Sequence, residues 1–82
     1  MDNETDEKFS VCQFFEDGTY EYVRRFVDAK QAVEVAHHYT HNVAARHGIV
    51  DRVIITDDGD CTVFEWKFGE GVTYPPEARG RS

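Results

Sequence analysis

Leucine is missing from this chain altogether, while valine occurs ten times, phenylalanine six and tyrosine four. That palette of β-branched and aromatic side chains suits strands better than helices. Cysteine is scarce too. Cys12 and Cys61 stand far apart, and a small secreted domain held by disulfides would carry four or more. No run of residues reaches the apolar length needed to span a bilayer. The first residues are acidic and polar, the reverse of a secretory leader. These features predict a cytoplasmic protein with two reduced thiols and no membrane association. Positive charge is the next deficit: 9 Lys and Arg face 16 Asp and Glu, for a net charge of −7. An acidic chain repels phosphate backbones and anionic lipid headgroups, which disfavours a duplex nucleic-acid binder or a membrane-surface protein. At 82 residues the chain is also too short for an eight-stranded α/β barrel or a complete dinucleotide-binding domain.

With 40% hydrophobic residues, the chain nevertheless has enough apolar material for a core. Residues 1–8 read as a disordered acidic arm, 9–76 as one domain and 77–82 as a flexible tail. Within the domain, 9–15 (Phe-Ser-Val-Cys-Gln-Phe-Phe) and 20–27 (Tyr-Glu-Tyr-Val-Arg-Arg-Phe-Val) read as strands joined by an Asp17-Gly18 hairpin turn. Asp28 is a good helix N-cap, and Gln31 follows three residues later as a capping box requires. From Ala29 to His47 there is neither Gly nor Pro, and Gly48 supplies a stop. At 100° per residue, Ala29, Ala32, Val33, Ala36, Thr40, Val43 and Ala44 share one arc, so this is an amphipathic helix. A third strand (49–56), a second Asp-Gly turn and a fourth strand (61–68) complete the pattern; Val72, Thr73 and Tyr74 add a few extended residues at most.

The order ββαββ predicts an α+β fold: two β-hairpins forming a four-stranded, mainly antiparallel sheet with one helix packed on one face. Strand orders 2-1-3-4 and 1-2-4-3 both fit, as does a parallel pairing of strands two and three. If both turns are two-residue loops, Phe9, Val11, Gln13 and Phe15 share a face with Tyr20, Tyr22, Arg24 and Phe26, and Ile49, Val53 and Ile55 with Phe64, Trp66 and Phe68. Those richly apolar faces belong under the helix, whose alanine stripe permits close approach. The opposite face then carries Cys12, Phe14, Val23, Ile54 and Val63 beside an Arg52–Glu65 pair. One helix cannot cover both sides of a sheet, so these five residues are the candidate interface for a second copy of the chain or another protein.

Other constellations carry less. Glu34, His38 and His41 share a helix arc with spacing that could hold a divalent metal, on a face otherwise suited to water. His47 falls near the helix end, where an imidazole can cap carbonyls. The two thiols read as small buried or interfacial hydrophobes. Asp57-Asp58-Gly59-Asp60 fails as a calcium loop, because Ile54 and Thr56 would stand where ligands are required. Gly69-Glu70-Gly71 is a turn and not a phosphate loop. Tyr20, Tyr22 and Arg24 would suit stacking of single-stranded bases if the helix left them exposed, and the acidic balance admits nucleic-acid mimicry. No catalytic motif is present. The residues therefore point to a non-enzymatic protein-binding or self-associating domain with no cofactor, the helix ligand site and single-strand binding being the alternatives.

Overall fold

The structure, a computed structural model, describes residues 8–74. The expected acidic arm and C-terminal tail therefore fall almost entirely outside the described residues, and only Lys8 of the arm is seen, exposed ahead of the first strand. The chain runs β1 (Phe9–Phe15), β2 (Tyr20–Val27), α1 (Ala29–His41), α2 (Val43–Arg46), β3 (Val50–Thr56), β4 (Thr62–Lys67) and β5 (Gly71–Tyr74). The sheet is antiparallel throughout, in the order β2-β1-β3-β4-β5. It is thus an α+β fold with five strands where four were expected. The last hairpin closes at Gly69 and Gly71, both at positive φ, which L side chains rarely adopt.

The helix begins as its sequence predicts: the Asp28 carboxylate accepts the Gln31 N–H at 2.8 Å. It ends early. Asn42 takes an extended conformation and its side chain accepts the Ala45 N–H at 2.9 Å, so it closes α1 and caps α2 in one residue. The break turns Ala45 into the core in place of Val43, which is 70% exposed. His47 closes α2 through its backbone N–H, bonded to the Val43 carbonyl at 3.1 Å, and the residue is exposed rather than buried.

The core lies between α1–α2 and one sheet face. Val11, Val53 and Ile55 are buried beneath Ala32 and Ala36, with Phe9, Phe15, Phe64 and Trp66 packed around them. The alanines bring the helix backbone close to the sheet, and the rings fill the space beside it. The helix covers the expected face of β1 and β3, and Phe64 and Trp66 of β4 project from that same side to pack beside the core.

The face of β2 comes out differently. The first hairpin is not a two-residue loop: Phe14 pairs with Tyr20, leaving five residues between, with Phe15 N–H bonded to Thr19 O and Gly18 N–H to Phe15 O. The Asp17 carboxylate accepts both the Thr19 N–H and hydroxyl, a local turn that stabilises this longer loop and holds the carboxyl below its ordinary pKa. A one-residue change in register exchanges the faces of a strand. Tyr20 and Tyr22 therefore stand on the side away from the helix, and Glu21 and Val23 on the helix side. In the second hairpin the turn and a bulge at Val63 together move the register by two, which preserves the expected faces of Val53, Ile55, Phe64 and Trp66. At the start of β3 a register shift between Phe14 and Phe15 buries Val50 in the core in place of Ile49, which is exposed. There the Asp57 carboxylate accepts the N–H groups of Gly59 and Cys61, so it serves the turn.

Two further register shifts interrupt the β1–β2 ladder, and Phe26, within the one that separates the Phe9–Val27 and Val11–Arg24 pairs, has φ 59°. An aromatic side chain there is strained by about 1–2 kcal/mol, and the ring is 63% exposed, so burial does little to offset it. Phe26→Gly is expected to raise stability by about 1 kcal/mol despite the added freedom of the unfolded chain. A urea midpoint below that of the parent protein would contradict this.

Candidate functional site

The sheet face away from the helix carries a continuous row of side-chain contacts that crosses all five strands. On β2, the Arg25 guanidinium carbon lies 4.2 Å from the Tyr22 ring centroid. Tyr22 meets Tyr20 edge-on at 6.2 Å, and Tyr20 meets the Phe14 ring of β1 at 5.6 Å. Arg52 of β3 lies over the opposite side of this row, 4.2 Å from the Phe14 centroid. It also binds Glu65 of β4 at 3.2 Å. The Thr73 hydroxyl of β5 donates to the same carboxylate at 2.9 Å. Burial raises the Glu65 pKa, but the bonds from Thr73 and Arg52 and the charge of Lys67 outweigh it, so the carboxyl titrates below its ordinary range and is ionised at neutral pH.

Each element places its part of the row by alternation. Phe14 is two residues from buried Cys12, and Arg52 is two from half-buried Ile54, so both rise from the same side of central strands. Lys67 faces Arg52 across the β3–β4 ladder and adds a third cation. Tyr20 is 61% and Tyr22 39% exposed. Neither phenolic oxygen has a hydrogen-bond partner among the described residues. The face thus presents aromatic area, free hydroxyls and cations on a rigid sheet, the composition that dominates energetic hot spots of protein interfaces.

The residues singled out from sequence divide. Cys12, Phe14 and Ile54 belong to this face, although Cys12 is only 2% exposed and offers no contact area. Burial also pushes its thiol pKa up, leaving it a protonated and poor nucleophile. Val23 and Val63 do not join them. Val23 packs against the core, and Val63 borders a groove beside α1, each displaced by a register shift that the pattern did not reveal. The expected Arg52–Glu65 contact is present, but as a diagonal: Glu65 pairs directly with Ile54. The thiols do not meet, since β3 lies between β1 and β4, and Cys61 is exposed in a turn.

On the helix, Glu34 is exposed, His38 packs edge-on against Tyr39 at 5.0 Å, and His41 stacks on His37 at 4.2 Å. The described residues contain no group of three His, Cys, Asp or Glu side chains placed to hold a metal. Arg24 donates to the Val23 carbonyl at 2.6 Å, and it is Arg25 that stacks on tyrosine. Arg52 was expected on this face beside Glu65, whereas the stacking of Arg25 on Tyr22 and the Thr73 bond to Glu65 were not legible, because they depend on the loop length and on the fifth strand. No helix among the described residues is long and apolar enough to cross a membrane. No protein-family model, curated protein or solved structure matches the chain.

Proposed function

We propose that this chain is a non-enzymatic protein-binding domain that docks an acidic surface of a partner protein on the sheet face away from its helix. The observation that carries this reading is the Arg25–Tyr22–Tyr20–Phe14–Arg52 row, which sets exposed rings between cations. Charge favours an unlike partner over a second copy, because Arg25, Arg52 and Lys67 would oppose themselves across a two-fold axis. Five strands at a spacing of ~4.8 Å and about six residues at ~3.3 Å give a face of roughly 500 Å2. That falls short of the roughly 800 Å2 per partner of a standard interface, so the expected complex is a transient one.

Phe14→Glu is expected to lower affinity for such a partner by at least about tenfold, the loss typical of a hot-spot anchor, with the fold retained. The check is crosslinked capture of partners by the wild-type chain, by Phe14→Glu and by Val43→Glu, the last altering an exposed residue on the helix side. A protein lost with Phe14→Glu and kept with Val43→Glu supports the reading. A protein kept with both, or a doubled native mass for the isolated chain at working concentration, counts against it.

Exposed Tyr20 and Tyr22 also favour a second reading, single-strand nucleic-acid binding by base stacking. The carboxylates weigh against it: Glu16 and Asp17 stand at one end of the strands and Asp57, Asp58 and Asp60 at the other, where a phosphate backbone following them would pass. Saturable quenching of tyrosine emission by oligothymidylate, weakening with salt, would favour the second reading over the first.

A further inference from the structure

A single α-helix is about 10 Å across, which is enough to cover roughly two strands at their ~4.8 Å spacing. Here α1 packs on β1, β3 and the near side of β2, and its contacts with β4 and β5 do not amount to a packed interface. The inner side of the last two strands therefore borders an open cavity of about 420 Å3, running along α1. Its floor and far wall are Ile55, Phe64, Trp66 and Val72, and Val33 of α1 overhangs it, 61% exposed.

One end of this cavity is chemically different. His37, Thr40 and His41 line it where α1 passes Trp66 and Val72. The His41 Nδ1 lies 2.8 Å from the His37 carbonyl oxygen, so that nitrogen carries the proton and Nε2 is left for another partner. The two imidazoles are stacked at 4.2 Å, which fixes their planes. The Trp66 indole N–H has no acceptor among the described residues. No carboxylate lines the cavity. Walls that are apolar along one stretch, with ring nitrogens and a free donor at the other, match the usual makeup of a small-molecule site, and the volume lies within the range of such sites.

We propose that this cavity binds a small carboxylic acid with an apolar body, such as a medium-chain fatty acid or an arylalkanoic acid. The body lies against Phe64, Trp66 and Val33, and the acid group meets the histidines. A neutral acid gives its proton to His41 Nε2, and the resulting carboxylate stays beside the imidazolium, so charge is balanced within the complex. The site is separate from the face described above, on the other side of the sheet, and stands or falls independently of it.

The chain has one tryptophan, and it is in the wall, so its emission reports occupancy directly. Octanoate added to the full chain is expected to shift Trp66 emission saturably, with a Kd below about 1 mM. Val33→Phe should fill the overhang from an exposed position and weaken octanoate at least tenfold. The double variant His37→Phe, His41→Phe keeps stacked rings without their nitrogens; it should weaken octanoate at least tenfold while leaving 1-octanol unchanged. No saturation by octanoate or 4-phenylbutyrate at several times that concentration would overturn the proposal. Equal affinity of octanoate and 1-octanol for the parent chain would overturn it too, as would full octanoate binding by folded Val33→Phe.

Discussion

Val53→Asp is expected to leave the chain unfolded at 25 °C. Val53 is fully buried on β3, the strand at the middle of the sheet, paired with Gln13 on one side and Trp66 on the other and packed beneath the helix. A carboxylate there would have no partner in an apolar layer, at a cost of several kcal/mol on top of the lost packing. At roughly 0.05–0.15 kcal/mol per residue, a domain of this size has about 4–12 kcal/mol to lose. Val53→Ala separates the two contributions, since it creates a cavity without burying charge, and should cost only about 1–3 kcal/mol. Far-ultraviolet circular dichroism and urea titration of both variants test this. A cooperative transition for Val53→Asp close to that of Val53→Ala would mean that the position is wetter than its burial indicates.

The second large effect is expected at Gly48, between α2 and β3. Its φ of +81° lies in the left-handed region, and a Cβ added there would stand 3.2 Å from the Phe68 ring. The backbone component costs a non-glycine residue about 1–2 kcal/mol, and more for a β-branched one. The ring contact adds less, because Phe68 is nearly half exposed and can swing aside. Gly48→Val should therefore lose about 2–3 kcal/mol, Gly48→Ala about 1–2, and Gly48→Asn least, since asparagine tolerates this conformation. Thermal unfolding of the three variants gives the order. If Asn and Val cost the same, the backbone argument fails and the ring contact dominates.

Much of the architecture could be read from residue order. The bounds of β1 and β2, the Asp28 cap and the apolar set Val11, Val53 and Ile55 under an alanine-lined helix all follow from periodicity and turn chemistry. The helix break at Asn42 did not show, because an uninterrupted run without Gly or Pro looks continuous, and Asn caps a helix only where the backbone has already turned. β5 is four residues long, too short for alternation to distinguish from a loop. The binding face was the least legible part. Phe14 and Ile54 could be placed because β1 and β3 run regularly beside each other, whereas Tyr20 and Tyr22 could not: their side depends on one extra residue in a loop, and Asp-Gly in a sequence does not state the length of the turn around it.

That dependence has an evolutionary side. Most substitutions on β2 would alter one side chain of the row at a time, but loss of a single codon between Glu16 and Thr19 would turn the strand over. Glu21 and Val23 would then replace Tyr20 and Tyr22 beside Phe14, and two tyrosines would give way to a carboxylate and a valine in one mutational step. Variants of this chain that keep every β2 residue but differ in hairpin length should thus bind different partners, so loop length is the better guide to their specificity than percent identity.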